Sequence, residues 1–551
     1  MRPIHLNSER GVAAIIALLM MGMLLLIGLA ALTTSDDETT IAGNELQEMR
    51  AFYAAEAGLE QAAAALQTEY DSTGLPPLVM PSGSAVLNGC AVTYDAEDNG
   101  PAAHRPINQG ELAGLHALVK SFSLVSTGVS DVDNAKVTLS QTFEVSLVPV
   151  FQFAVFYNND LEFAPSSDMN LIGRVHSNRN LYLQSSTLLR VESFMTAAGH
   201  LYHGRKGAGT VDAGDVQIKD GYADYVTMKE GSDWLDAHDG HWYDSAIGRW
   251  DGRVQDASHG VRTLNVPLTN ASDPHRIIER STGNPDSYES KATLIIQDGV
   301  AVRKMADGTW QNVTAAMAAT GALTYTADKF YDQREAEWVD CTELDVARMY
   351  DSGFAPLNGV VYFSDRVTGA STFPALRLVN GSTLDSGLSV VSENPLYTLG
   401  DFNSVFKKPA SLMADAITFL SNSWQTHSYD TLGTFSKTYR AANNTTVNAS
   451  YLTGNVETDS ANYNGGFENL PRFLEDWSGS TLSWKGSAVN LWNSVQADGL
   501  WNDTYYNSPV RDWLYDADLD DPNNLPPGTP VVRVFQRLGW RQQYVGYHRD
   551  Y

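Results

Sequence analysis

The chain has 551 residues, 43% hydrophobic and 19% charged, and its 65 acidic against 37 basic side chains leave a formal charge of -28. That length builds several domains of ~100–200 residues around buried cores, which excludes a peptide or a disordered tail. An acidic balance this strong, with no Lys/Arg run, repels phosphate backbones and argues against nucleic acid as a partner, and Cys90 and Cys341 are too few for a disulfide scaffold or a thiolate zinc cluster.

Val12 to Leu32 contains no charged or amide side chain. As a helix it rises ~31 Å, against a bilayer core of ~30 Å. It exceeds the ~7–15 apolar residues of a secretory signal, and no small-x-small cleavage site precedes the acids Asp36, Asp37 and Glu38. Arg2, His5 and Arg10 lie ahead of it, so the positive-inside rule puts the N-terminus in the cytoplasm and the bulk of the chain outside. From Glu45 to Tyr70 the chain is rich in helix formers and free of proline, with Phe52, Leu59 and Leu66 flanked by Met49, Ala63 and Tyr70 on one apolar stripe. The spacing predicts one helix from Val12 to about Tyr70, its stripe packed on this protein's own sheet.

Arg10 and Gly11 stand immediately before the apolar run, and SERGVAAIIALLMMGMLLLIGLAALTT resembles a class III (type IV prepilin) signal. That resemblance implies cleavage by prepilin peptidase after Gly11 and methylation of the new amine at Val12. Ala42-Gly43-Asn44 and Ala51 to Leu59 (AFYAAEAGL) are similar to the signature of the PilX-type minor pilin N-terminal domain. Major pilins of the family carry a glutamate at the fifth mature position, where this chain has Ile16; by the resemblance, lacking that glutamate is typical of PilX-type and tip-type minor subunits and argues against a bulk filament subunit. In that family the glutamate offsets the amine of a neighbouring subunit inside an apolar filament core, where an unpaired charge is costly.

Pro76, Pro77, Pro81 and Gly83 end the helix. Val137, Leu139, Phe143, Val145 and Leu147 then alternate with Thr138, Ser140, Thr142, Glu144 and Ser146, the pattern of a half-buried antiparallel strand, and Leu118, Phe122 and Leu124 suggest another. Beyond Phe151, short apolar runs punctuated by Asn and Gly predict many short strands in an irregular β-solenoid, with a sandwich as the alternative. The expected class is α+β: a leader at 1–11, a transmembrane and pilin-like helix at 12–75, a β head at 76–150, a β-rich body at 151–460 with an insertion at about 205–345, and a Trp-rich segment at 461–551 packed on the body. Cys90 and Cys341 either pair or stay free.

Three fragments, Gly173 to Asn178, Pro409 to Trp424 and Gly465 to Trp477, are similar to segments of large PilX-domain pilus-assembly proteins of Gram-negative bacteria. No activity follows from that resemblance.

HExxH, GxSxG, P-loop and GxGxxG patterns are absent, so no enzyme is expected. Asp236, His238, Asp239 and His241 are the densest metal-capable cluster and His200 and His203 a weaker pair, but a solvated loop beside Trp234 and Trp242 accounts for them better. Asp516, Asp518 and Asp520 phase alternate carboxylates as a structural calcium ion requires, although Asp521 and Pro527 occupy the EF-hand glycine and acid positions and a capped surface turn explains the run equally simply. No other cofactor is expected. Glu475 and Asp476 are adjacent acids, which point to opposite faces of a strand and make a poor glycosidase pair. All twelve Trp follow residue 233, serving either a β core or a glycan-binding face.

The resemblance implies a minor pilin-like structural subunit of a type IV pilus or related pseudopilus, acting in assembly, at the tip or in adhesion. Its partners would be prepilin peptidase, other pilin or pseudopilin subunits, the inner membrane through residues 12–32, and surface glycans. The body would be periplasmic before assembly and on the cell surface afterwards. The alternative is a membrane-anchored carbohydrate-active solenoid enzyme or a glycan-binding adhesin.

Overall fold

A computed structural model describes residues 9–207, 211–269, 272–366, 373–459 and 462–543. The chain divides into two compact units, one of Met1–Ala102, Val119–Val145 and Phe535–Tyr551, the other of Ala103–Leu118 and Ser146–Val534.

The first unit is built on a single helix, α1, from Glu9 to Thr73. The run Thr33-Thr34-Ser35-Asp36-Asp37 favours breaks, yet the helix passes through it. The hydroxyls of Thr33, Thr34, Thr39 and Thr40 donate to carbonyls three or four residues back, satisfying themselves within the helix. Ala51, Ala55, Leu59, Ala62, Leu66 and Tyr70 are buried against Phe122, Leu124, Val137, Leu139, Phe143 and Val145. The expected stripe is therefore present, except that Met49 is exposed. Small residues set the distance between helix and sheet. A Cβ on Gly128 would strike the Ala51 carbonyl, and one on Gly58 would strike Ser126.

The sheet under α1 runs in the order Ser82–Leu87, Cys90–Asp98, His116–Ser130, Lys136–Pro149, Val531–Gln543. Its first pairings are antiparallel. Its final strand comes from the far end of the chain: Phe535 sits 6.1 Å from the Tyr70 ring and stacks on Phe143 at 5.9 Å. Phe535–Gln543 thus belongs to the first unit, whereas the sequence reading packs 461–551 on the body; a partner strand so distant leaves no local trace in the hydrophobic pattern. Val137, Leu139, Phe143 and Val145 are buried as the alternation predicts, but Thr138, Glu144 and Ser146 on the other parity are buried too, and Leu147 is only half-buried, because the strand passes into the second unit at Ser146.

The second unit is a β-solenoid with an unusual order of coils. Phe153–Tyr157, Arg174–Ser177, Met195–Ala197 and Val254–Gln255 pair in parallel, each a coil further along. Their spacing is regular at first: Asn180 N donates to Asp160 Oδ1 at 3.0 Å and His200 N to Asn180 Oδ1 at 2.9 Å, each across 20 residues. Leu161, Leu181 and Leu201 stack in register on the inside of a second face. A second run, Leu294–Gln297, Val360–Ser364, Leu388–Ser392, Ala410–Ala414, Ser450–Thr453 and Ala488–Asn490, is also parallel throughout. Its last strand pairs in parallel with Phe153–Tyr157, the first strand of the first run. The two runs thus make one stack whose chain ends meet in the middle.

The segment between Val254–Gln255 and Leu294–Gln297 returns along the stack from one end to the other. Leu264 exchanges hydrogen bonds with Asn178 at 2.7 and 2.9 Å. Further along, His275 lies edge-on to Trp492 and near Asp415, Tyr362 donates to the Ile278 carbonyl, and Arg280 donates to Ser364 and Asp298. Residues 205–345, read from sequence as an insertion, therefore hold the end of one run, the return and the start of the next. Their strands are short and set among long polar loops, which hides the cadence.

Candidate functional site

Among the described residues one helix, α1, is long and apolar enough to cross a membrane. From Val12 to Leu32 every side chain is exposed, Leu24 at 68% and Ile16 at 51%. A bare apolar surface of this size is unfavourable in water by about 25 cal/mol per Å² and marks a membrane or protein-contact segment. Gly11 and Val12 lie in the opening turns of α1, and a Cβ on Gly11 would meet nothing within 4 Å. Packing within this chain does not require a glycine there.

Asp516 and Asp518 are brought together, but around Lys407 rather than a metal. The Lys407 ammonium pairs with Asp516 and reaches Asp518 at 2.7 Å, and Lys485 approaches Asp516 at 3.3 Å. The Lys407 hydrogen bond holds the Asp518 carboxyl below the usual carboxylate range. Asp520 points away and accepts from the Tyr515 hydroxyl at 2.7 Å. The Lys407 ammonium thus lies between two of the three carboxylates considered for calcium, and Asp516 caps a short turn of helix at Ala517–Asp520. Local spacing could not reveal Lys407, which lies more than a hundred residues away.

No group of three or more His, Cys, Asp or Glu among the described residues is arranged to hold a metal. Asp236 accepts from the backbone N–H groups of His203 and His238, and Asp239 from that of His241. His203 stacks on Trp234 at 3.5 Å, and burial pulls its pKa down to about 4. Glu475 is buried and accepts from the Ser421 N–H and hydroxyl, while Asp476 accepts from Ser478 and Asn507, so the two acids share no groove. Trp250, Trp424 and Trp477 are fully buried and Trp484 and Trp492 nearly so, whereas Trp310 and Trp540 are exposed. Cys90 and Cys341 are free, buried thiols, and burial pushes Cys341 up to about 12.

The three body fragments singled out in the sequence have architectural work. His176 is buried between Thr196 and Asn178, and Asn178 grips the return segment. Asp415 accepts from the N–H groups of Val495, Gln496 and Ala497, and Arg472 donates to the Ala497 carbonyl at 2.6 Å, so Pro409–Trp424 and Gly465–Trp477 hold one loop from two sides.

No family model matches the sequence, and no curated protein matches it. Among solved structures the chain is similar to the competence-associated pilin ComZ from Thermus thermophilus, at 13% identity over 90% of this chain and 97% of that one, with a TM-score of 0.27. A likeness of that degree carries no weight for fold or function.

Proposed function

We propose that the chain is a membrane-anchored, minor pilin-like structural subunit, processed by prepilin peptidase after Gly11 and assembled through α1 with other subunits of a type IV pilus or pseudopilus. One observation carries this reading: a single unbroken helix is bare and apolar over Val12–Leu32 and packed on its own sheet from Ala51 to Tyr70. The first half needs a bilayer or the helices of other subunits; the second anchors a head. The prepilin-like leader and the PilX-type signature support the same reading. Ile16 at the fifth mature position and a body of several hundred residues suit a tip or accessory place better than a repeated one.

The test is mass spectrometry of the mature N-terminus, with wild type and Gly11→Ala each co-expressed with a prepilin peptidase. The expected result is a start at methylated Val12 that the substitution abolishes. An intact Met1, or a cut beyond Leu32, would overturn the proposal.

A further inference from the structure

The two runs of coils are joined by paired strands on one face alone. There Phe153–Tyr157 pairs in parallel with Ala488–Asn490. On the next face the sheet of the first run ends at Leu161–Phe163, and on the third Met169–Leu171 and Val510–Tyr515 lie in separate sheets. A cleft of about 310 Å³ is lined by both of these strands, with Phe467 and Trp513 in its wall. A second cavity of about 30 Å³, large enough for a water, is lined by Tyr157, Glu162, Asn464 and Gly466.

The unpaired faces are held by a segment of the second run, Tyr463 to Asn469, and by its polar side chains. A Cβ on Gly466 would strike the Glu162 carbonyl, so this segment packs directly on Leu161–Phe163, and Phe467 meets Phe163 at 5.3 Å. Glu468, 5% exposed, accepts from Ala164 N at 2.9 Å, and Glu162, 6% exposed, accepts from the Tyr463 hydroxyl at 2.6 Å. Each bond crosses from one run to the other. Lys206 does the same, pairing with Asp160 of its own run at 3.0 Å and with Glu457 of the other at 2.6 Å.

The titratable and charged groups that face Glu468 are Tyr157, Glu162, Tyr463, Tyr506 and Arg511, with Lys206 and Arg205 beside Glu162. Burial raises Glu468 from 4.5 to about 7, with Arg511 opposing the shift and Glu162 adding to it. Burial raises Glu162 as well, against its hydrogen bonds from Tyr463 and Lys206. The closed seam therefore holds protons that an open, hydrated seam releases. Closure is strongest at low pH and weakens as pH climbs from 4.5 to 7.

We propose that the seam is a pH-gated hinge: as pH rises through neutrality, Glu468 and its segment let go of Leu161–Phe163, and the two runs part on those faces while Phe153–Tyr157 stays joined to Ala488–Asn490. The cavities on either side bring water to the carboxylate. This goes beyond the proposed assembly role and does not depend on how the N-terminus is processed.

The experiment is hydrogen exchange of the full chain in detergent micelles at pH 5.5 and pH 8, with the intrinsic pH dependence of exchange removed. Protection at Leu161–Phe163 and Phe467–Asn469 should fall ~10-fold or more at pH 8, while that of Phe153–Tyr157 and of Leu388–Ser392, inside the second run, stays the same. Glu468→Gln keeps an oxygen for Ala164 N and cannot ionise, so it should abolish the fall. Glu475→Gln, at a buried acid bonded to Ser421 within the second run, should leave the fall in place. If Glu468→Gln does not fold, Glu162→Gln gives the second reading, since without that neighbouring acid the fall should come at lower pH. Equal protection at the two pH values, a fall shared by Leu388–Ser392, a fall that survives in Glu468→Gln, or one that Glu162→Gln leaves at the same pH would overturn the proposal.

Discussion

The Ser487 hydroxyl donates to the Phe153 backbone carbonyl at 2.6 Å across 334 residues of sequence. That bond marks the place where the last coil of the second run meets the first coil of the first. Asn490, on the second-run side of the seam, is fully buried and ties its coil to the one before, donating to the Thr453 and Trp492 carbonyls at 3.0 and 2.8 Å, while its own carbonyl accepts from Asn158 N across the seam.

Replacing Asn490 with Leu roughly keeps the volume but removes both side-chain hydrogen bonds, at a cost of about 1–3 kcal/mol. Urea unfolding of the full chain should show the solenoid transition at lower denaturant. Hydrogen exchange should rise at both Phe153–Tyr157 and Ala488–Asn490, since each is the other's partner strand. Exchange that rises at only one of the two would contradict the seam.

Gly128→Val should disrupt the first unit alone. Its side chain must displace the Ala51 carbonyl in the middle of α1, and overpacking of this kind costs about 1–3 kcal/mol or more. Amide protection should fall across Ala51–Tyr70 and the sheet beneath, with protection of the solenoid unchanged.

Burial raises both Glu468 and Glu475 from 4.5 to about 7, the Ser421 hydrogen bonds to Glu475 opposing the shift without cancelling it. Between pH 4.5 and 7 the folded chain therefore holds protons that the unfolded chain has lost, so stability falls as pH rises through that window, by up to about 3 kcal/mol for each group. His275 acts in the same sense. Burial disfavours its charge, but the nearby Asp415 carboxylate and the hydrogen bond with Glu279 outweigh this and raise its pKa, so its contribution is present at low pH and lost as pH climbs past its folded value. Denaturation at pH 5 and pH 8 should show the decline, and Glu475→Gln should reduce it by stabilising the chain at pH 8 relative to wild type. An unchanged slope in that variant would count against the assignment.

With Lys407 seated between Asp516 and Asp518, millimolar calcium or a chelator should leave the thermal midpoint of wild type where it is. Lys407→Ala should lower it modestly, by the equivalent of about 1 kcal/mol at low salt and less at high salt, as Asp518 then loses its partner and only Lys485 remains beside Asp516. A calcium-dependent rise in wild type would show that the ion displaces the lysine.

What the sequence disclosed follows from the range of the interaction that wrote it. The apolar run from Val12, the stripe through Leu59 and Leu66, and the alternation from Val137 to Val145 are local consequences of one environment along one element, and each is visible by eye. The small residues Ala51, Ala55 and Gly58 were noticed as a signature, and the close approach of Gly128 and Ser126 supplies their physical reason. The coil spacing from Asp160 through Asn180 to His200 was legible in principle, but later coils vary in length and the long excursion before Val254 buries the period. Lys407 at Asp516, Phe535 at Tyr70 and the cleft at Trp513 are meetings of residues far apart in the chain, about which no local window carries information.

The strand Val531–Gln543 gives the sheet under α1 its outermost member and supplies Phe535 to the ring cluster of Tyr70 and Phe143. A ribosome makes it only after the whole solenoid has been made. A product halted anywhere before Val531 would carry a membrane-competent helix yet leave two aromatic rings uncovered and a strand edge without its neighbour. The first unit is therefore complete only once everything between α1 and Val531 has been synthesised.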